Sequence, residues 1–181
     1  MILVVDMNSK RASLAFYEFV TPIIAIAEEL DECVVRHYSE LTQQDLSNCS
    51  KLVLSGSPLK DTVTLAQLDK FKWLEDFSKP ILGICAGMQT ICLFFGSRLK
   101  KCSELGMTQV KTLKANPLFS SSFKVYALHN YAIEPSSTFD VLAESAKCAH
   151  AIKHKTKEIY GVLFHPEVRN KEIIQQFILA L

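Results

Sequence analysis

The sequence comprises 181 residues with a formal net charge of +1, and 49% of its residues are hydrophobic. This length suits a single domain, residues 1–181, with a sizeable core. The near-neutral charge provides no basic face for nucleic acid or an anionic membrane, and no apolar run reaches the length of a membrane span. Residues 1–6 favour a strand over a signal peptide. We therefore expect a cytoplasmic protein whose six cysteines are reduced thiols.

The first half of the sequence alternates between predicted strands and predicted helices. Short apolar runs predict strands at residues 2–6, 34–37, 51–54 and 81–84. Segments with apolar residues on one face predict helices over residues 11–30, 42–46, 64–77 and from residue 86 to about Gly96. Pro22 should kink or break the first of them. This alternation predicts a parallel sheet with helices on both sides.

The second half is predicted to add antiparallel strands to that sheet. Alternating patterns predict strands at residues 107–113 and 123–128, separated by the turn signal Asn116-Pro117. Three more strands are predicted at residues 139–143, 149–154 and 159–164, followed by a helix at residues 173–181. The predicted fold class is therefore α/β, with three layers and a mixed, mostly parallel central sheet flanked by helices.

The stretch Gly83-Ile84-Cys85-Ala86-Gly87 lies between a predicted buried strand and a predicted helix. Its spacing is that of a nucleophile elbow with cysteine in place of serine. Glycine relieves the crowding where a strand turns sharply into a helix, and a helix N-terminus favours the thiolate. A lone free cysteine is usually a buried structural residue. The combination of strand, Gly-x-Cys-x-Gly and helix instead predicts a nucleophile at Cys85.

A second candidate segment, Phe164-His165-Pro166-Glu167, follows the last predicted strand. It should therefore lie at the carboxyl end of that strand, where open α/β sheets place their sites. Two residues apart, the Glu167 carboxylate can reach one imidazole nitrogen of His165 while the other nitrogen faces elsewhere, and Pro166 keeps the segment out of a helix. A cysteine nucleophile needs a base and an orienting group, and these two side chains can supply both.

No metal site is predicted from the sequence. His150 and His154 are four residues apart, which is a zinc spacing on a helix, but the stretch alternates as a strand does. The loop Ser55-Gly56-Ser57 lacks the Lys-Ser/Thr of a phosphate-binding loop.

The two motifs together, residues 83–89 and residues 164–168, resemble those of class I (triad) glutamine amidotransferases, and the resemblance covers essentially the whole chain. It implies a flavodoxin-like fold and a Cys-His-Glu triad. Cys85 would attack the side-chain amide of glutamine, His165 would transfer protons, and Glu167 would orient the imidazole. A γ-glutamyl thioester would form and then be hydrolysed to glutamate.

The resemblance also implies residues that hold the substrate. The backbone N–H groups of Ser57 and Ala86 would form the oxyanion hole, Gln89 would contact glutamine, and Asn130 and Tyr131 would hold its α-carboxylate and α-amino groups. Ser57 stands where the family usually has glycine. If the backbone there needs a positive φ, serine would adopt it at a cost in free energy, which would leave the hole incompletely formed at rest.

The stretch from residue 143 to residue 168 is similar to that of the glutaminase subunits of two-subunit GMP synthases. This similarity implies a role in purine biosynthesis, with ammonia passed to a separate ATP-pyrophosphatase (synthetase) subunit that aminates XMP and holds ATP and Mg²⁺. No cofactor is expected on this chain. Two alternatives stay open. One is a free-standing γ-glutamyl hydrolase or an amidotransferase for another acceptor, and the other is a catalytically weakened regulatory or binding module.

Overall fold

Nine strands form one sheet in the computed structural model, which describes residues 1–181. The strands are β1 (Ile2–Asp6), β2 (Cys33–His37), β3 (Lys51–Leu54), β4 (Ile81–Ile84), β5 (Arg98–Thr112), β6 (Phe123–Glu134), β7 (Phe139–Glu144), β8 (Ala149–His154) and β9 (Ile159–Val162). The helices are α1 (Leu14–Phe19), α2 (Thr21–Glu28), α3 (Gln43–Asn48), α4 (Ala86–Phe94) and α5 (Glu172–Ala180), with 3₁₀ helices at Thr64–Ala66 and Leu68–Leu74. None of these helices combines the length and apolar character that crossing a membrane requires.

The sheet has a parallel half and an antiparallel half that meet at β9. The strand order is β2-β1-β3-β4-β9-β8-β7-β5-β6. All pairings from β2 to β9 are parallel, and all pairings from β9 to β6 are antiparallel. The last strand of the chain thus lies at the junction, between β4 and β8, and joins the two halves.

Two hydrophobic cores cover the two faces of the parallel half. One contains the buried faces of α2 and α5 and alternate residues of the strands, such as Val4 and Val53. The other contains α3, α4 and the second 3₁₀ helix, together with the intervening residues, such as Leu3 and Leu52. Because side chains alternate along a strand, strands buried on both faces must be continuously apolar, which is the pattern of β1. The predicted three-layer α/β architecture is confirmed.

Pro22 breaks the first helical segment as predicted. It lies in the first turn of α2, where a missing N–H breaks no helical hydrogen bond. The prediction of a single helix over residues 64–77 is wrong, because this segment forms two 3₁₀ helices. Its buried Phe71 and Leu74 are three residues apart, a spacing that fits a 3₁₀ turn as well as an α-helix.

The antiparallel strands differ in length from their predictions. β5 begins at Arg98 rather than at residue 107, and β6 continues to Glu134 rather than ending at residue 128. The early part of β5 is almost entirely solvent-exposed and basic, so it carries no apolar alternation that a sequence pattern could reveal. Conversely, β9 ends at Val162, so residues 163 and 164 belong to the loop that leads to His165.

Candidate active site

The turn from β4 into α4 places Cys85 at a strained backbone position. Cys85 has φ +46° and ψ −101°, which is rare for a residue other than glycine. A Cβ at Gly83 would lie 2.7 Å from the backbone nitrogen of Met88, and one at Gly87 would lie 2.5 Å from the carbonyl oxygen of Leu54. The two glycines are therefore required by close backbone contact, as the elbow spacing predicts. The Cys85 N–H donates to the carbonyl oxygen of Val162 at 2.8 Å, which ties the turn to β9.

The Cys85 side chain is 4% exposed and lies at the N-terminus of α4. Its Sγ is 3.7 Å from the carbonyl oxygen of Leu128 on β6, to which the thiol donates. The sulfur therefore lies between the parallel half of the sheet, which supplies the turn, and the antiparallel half, which supplies this carbonyl.

His165 and Glu167 form a buried pair. His165 Nδ1 donates to Glu167 Oε1 at 2.7 Å, and the two side chains are 1% and 0% exposed. Since the carboxylate can only accept, Nδ1 carries the proton, and Nε2 is the nitrogen left for chemistry. The His165 N–H donates to the carbonyl oxygen of Tyr126 on β6 at 2.9 Å, which fixes the segment against the antiparallel half.

The protonated form of His165 is stabilised by its neighbours. Burial by itself lowers the pKa of His165, because it disfavours the charged imidazolium. The interactions with Cys85 and then with Glu167 outweigh burial and raise the pKa of His165 well above its usual value. Cys85 therefore has the largest stabilising effect on the imidazolium, through both its charge and hydrogen bonding. The three predicted triad residues are thus brought together.

Gly56 forms the wall against which the imidazole packs. A Cβ at this position would lie 2.7 Å from Cε1 of His165, and the same ring lies beside Phe19, with centroids 5.5 Å apart. No role for Gly56 was predicted from the sequence. The sequence shows Gly56 within the loop Ser55-Gly56-Ser57-Pro58, but only the fold shows that the ring of His165 packs against this glycine.

One cleft contains Cys85 and all five predicted substrate-binding residues. It is a narrow cleft that opens to solvent. Its lining residues are Ser57, Pro58, Leu59, Asp61, Thr62, Cys85, Ala86, Gln89, Leu128, His129, Asn130 and Tyr131. His165 and Glu167 lie behind Cys85 rather than in the lining. The backbone N–H groups of Ser57 and Ala86 make no hydrogen bond within the chain, so both are free to donate to a ligand in the cleft.

The expected strain at Ser57 is not found. The non-glycine residues with positive φ are Ala12, Cys85 and Asn170, so serine replaces glycine at position 57 without that cost. The Ser57 hydroxyl donates to the carbonyl oxygen of Asp61 at 3.2 Å, which braces the loop. The expectation of an incompletely formed oxyanion hole depended on a positive φ at Ser57, and Ser57 does not have one.

The segment with Asn130 and Tyr131 belongs to a strand. Gln89 Nε2 donates to the carbonyl oxygen of Tyr131 at 2.7 Å, and Ser103 Oγ donates to Asn130 Oδ1 at 3.1 Å. The register of β5 against β6 shifts between Lys101 and Glu104, opposite this segment. Such a bulge bends a strand locally and re-aims its side chains.

Comparison with known proteins identifies the family. The family model for glutamine amidotransferase class-I matches residues 17–179. The chain belongs to this family. It is 41% identical over 159 residues to a subunit of the glutamine-hydrolysing GMP synthase of Methanosphaera stadtmanae, covering 82% of this chain and 83% of that protein. It is 32% identical to the GMP synthase of Borreliella burgdorferi over 194 aligned positions, covering 98% of this chain but only 35% of that protein.

A solved structure of a GMP synthase subunit from Thermoplasma acidophilum has the same fold. The TM-score is 0.84 at 30% identity, with 98% of this chain and 91% of that chain covered. This class I glutamine amidotransferase is therefore similar along nearly its whole length to proteins named as one subunit of GMP synthase.

The packing at Gly56 predicts that Gly56→Ala lowers glutamine hydrolysis about 100-fold, because the new methyl group would displace the imidazole by the order of an ångström. Glutamate release under saturating glutamine is the measurement. Gly96→Ala is the matched control: no atom lies within 4 Å of its Cβ, but its φ is +81°. The control should lose about 1 kcal/mol of unfolding free energy and keep its turnover. Equal losses of activity in both variants would contradict the steric explanation.

The raised pKa of His165 predicts a shift in the pH profile of Glu167→Gln. Removing the carboxylate charge lowers the pKa of His165, so the imidazolium is lost at a lower pH than in the wild type. The alkaline limb of kcat/KM, which reports the free enzyme, should therefore move to lower pH. Glu134→Gln, at an exposed residue paired with Arg98, serves as the control. An alkaline limb that Glu167→Gln leaves in place would show that the carboxylate does not hold the proton on His165.

Proposed function

We propose that this chain hydrolyses glutamine to glutamate and ammonia through a triad of Cys85, His165 and Glu167. The Cys85 thiolate attacks the side-chain amide carbon of glutamine, and the electron pair of the C=O bond moves onto oxygen. When the tetrahedral intermediate collapses, the C–N bond breaks and the imidazolium of His165 gives its Nε2 proton to the departing ammonia. A γ-glutamyl thioester on Cys85 remains, and His165 is neutral.

The second half of the reaction restores the enzyme. Neutral His165 takes a proton from water, and the resulting hydroxide attacks the thioester carbon. The C–S bond breaks, the new γ-carboxyl group loses its proton to solvent as glutamate leaves, and the thiolate of Cys85 again faces an imidazolium. The raised pKa of His165 supports this assignment, since the proton donor needed in the first half persists at neutral pH. Glu167 stabilises that imidazolium from the far side of the ring.

We further assign the cleft residues to substrate binding. The free N–H groups of Ser57 and Ala86 would donate to the developing oxyanion. Gln89, Asn130 and Tyr131 line the same cleft. Asn130 and Tyr131 would hold the α-amino and α-carboxylate groups of glutamine, and Gln89 would also contact the substrate. The observation that carries the proposal is the position of Cys85, which lies on a strained elbow facing this cleft with a buried His-Glu pair behind it.

We also propose that the ammonia is delivered to a separate synthetase of the GMP synthase type. The support comes from two kinds of relative. The Methanosphaera protein, named as one subunit of GMP synthase, matches this chain along most of its length, whereas the match in the Borreliella protein is confined to 35% of the polypeptide. ATP, Mg²⁺ and XMP would bind to the partner, and the proposed hydrolysis of glutamine uses no cofactor.

The resting geometry supports activation by that partner. In its thiol form Cys85 donates to the carbonyl oxygen of Leu128, whereas attack on glutamine needs the thiolate with the proton on His165. A partner that prefers the engaged arrangement could shift its population from about 1:99 to parity with roughly 2.7 kcal/mol of differential binding.

The nucleophile assignment predicts that a diazo-ketone analogue of glutamine labels Cys85 alone. Cys92 is fully buried and burial raises its pKa, so it should stay unlabelled. Cys85→Ser should lose nearly all turnover, because a hydroxyl is a much weaker nucleophile beside the same base. The adduct is mapped by mass spectrometry, and Cys33→Ser is the control that should label and turn over as the wild type does. Label on Cys102 with Cys85 untouched would refute the assignment.

The partner proposal predicts a low rate of glutamate release by the chain alone and a large rise in kcat with the synthetase, ATP, Mg²⁺ and XMP together. Ammonium salt in place of glutamine should support the synthetase without this chain, and the Cys85→Ala variant should bind the synthetase without supplying ammonia. A high rate from the chain alone would favour the free-standing hydrolase. No glutamate release in any mixture, with Cys85 unreactive, would favour the regulatory or binding module.

A further inference from the structure

Four side chains that the proposed reaction does not use converge beside the cleft, whose lining includes one of them, His129. They are Glu104 on β5, His129 on β6, His150 on β8 and Cys148 just before β8, and their potential ligand atoms all lie within 4.8 Å of one another. The side chains of Glu104, His129 and His150 are at most 7% exposed. Three strands of the antiparallel half thus bring one carboxylate, one thiol and two imidazoles to a single buried point.

Glu104 Oε2 lies at the centre of this cluster. His150 Nε2 is 2.8 Å away, Cys148 Sγ is 3.2 Å away and His129 Nε2 is 3.4 Å away. Ligands of a tetrahedral zinc ion lie about 2.0–2.3 Å from the metal, which places them roughly 3.3–3.7 Å from one another. The distances from Glu104 Oε2 to Cys148 and His129 are close to these values and the distance to His150 is shorter, while the other pairs lie within 4.8 Å. Movements of the side chains would therefore complete a coordination shell.

The tautomer of His129 favours a metal over a purely hydrogen-bonded cluster. His129 Nδ1 lies 3.0 Å from the carbonyl oxygen of Cys102, which can only accept, so the proton of the neutral ring is on Nδ1. The buried Nε2 then presents a lone pair toward the carboxylate of Glu104 and has no hydrogen-bond partner. Two acceptors that face each other repel unless a cation lies between them. An N–H bound to a backbone carbonyl is also the usual support of a metal-ligating histidine.

We propose that Glu104, His129, Cys148 and His150 bind one Zn²⁺ in a closed, structural site. On binding, Cys148 releases its thiol proton to solvent. The proton that His150 Nε2 donates to Glu104 is exchanged for one on Nδ1, which leaves the Nε2 lone pair for the metal and the ring neutral. The charges then balance without a further ion: +2 from zinc, −1 from the thiolate and −1 from the carboxylate, with both imidazoles neutral. Such neutrality matters in a buried site, where an uncompensated charge is costly.

A zinc ion at this site would stabilise the wall of the cleft. His129 lies between Leu128, whose carbonyl faces Cys85, and Asn130. The ring of His150 stacks on Phe164, the neighbour of His165, with centroids 6.3 Å apart. A zinc ion would therefore fix the bulged part of β5 and the cleft-lining part of β6 against β8.

The pair that sequence spacing singled out does not form this site. His154 lies on the same strand as His150, but its Nδ1 accepts from the N–H groups of Thr156 and Lys157, and its ring packs against Phe95 and Phe139. His154 is therefore available as a control, since it is a histidine of the same strand outside the cluster.

The test uses the full chain carrying Cys85→Ala, so that the triad cannot bind the metal. The protein is stripped with a chelator and titrated with Zn²⁺ and, separately, with Co²⁺ as a spectroscopic probe. We expect one metal ion per chain and, with Co²⁺, a thiolate-to-metal charge-transfer band. Cys148→Ser should abolish that band and weaken Zn²⁺ binding at least about 100-fold, since even outer-shell changes cost 10–100-fold. Cys33→Ser and His154→Asn should bind as the parent does.

Further variants keep the test decisive if Cys148→Ser does not fold. Glu104→Gln preserves the size and hydrogen bonding of the side chain, and His150→Asn preserves a polar group; each should weaken Zn²⁺ binding without loss of the far-UV circular dichroism spectrum. Metal binding that is equal in the parent and in these variants would overturn the proposal. So would a folded parent that binds less than one ion per chain at micromolar Zn²⁺, which would leave a hydrogen-bonded cluster only.

Discussion

The sharp turn from β4 into α4 can form only because no Cβ occupies the space beside Gly83 and Gly87. The backbone of Met88 lies against Gly83, and the backbone of Leu54 lies against Gly87. Both contacts are so close that a Cβ on either glycine would clash. The turn places the sulfur of Cys85 at a helix N-terminus and directs the Cys85 N–H to the carbonyl oxygen of Val162. Since His165 follows Val162 by three residues, the same hydrogen bond brings the His165 segment next to the turn. The bond from the His165 N–H to Tyr126 and the packing on Gly56 then fix the imidazole.

The site is divided between the two halves of the sheet. The parallel half supplies Cys85 and the loop with Gly56 and Ser57, which follow the carboxyl ends of β4 and β3. The antiparallel half supplies the cleft wall from Leu128 to Tyr131, which presents carbonyl oxygens to both Cys85 and Gln89. Strain at Cys85 is tolerated because buried contacts on both sides hold the turn. The relative positions of Cys85 and the cleft wall therefore depend on how the two halves of the sheet are joined. Strand β9 joins them by pairing with β4 and β8.

Sequence patterns predicted the parts of this molecule that are encoded locally. Continuous apolar runs predicted β1, β3 and β4, and the short motifs at Cys85 and His165 predicted the candidate site, because each motif carries its own backbone geometry. The exposed start of β5 could not be predicted, since its basic residues face solvent and show no periodicity. The contact of Gly56 with His165 and the cluster around Glu104 could not be predicted either. Both unite residues that are far apart in the sequence, and only the strand order brings them together.

The place of β9 in the sheet has a consequence for how the protein is made. A ribosome releases β4 and the cysteine turn some 80 residues before the strand that must lie next to them. Until that strand emerges, β4 is an unpaired edge of the parallel half, and β8 has no neighbouring strand that links it to that half. Pairing across such a separation is slow to form, so the nascent chain carries a thiol without its base. His165 and Glu167 follow this four-residue strand closely in the sequence, so the proposed triad can assemble only after the strand has emerged.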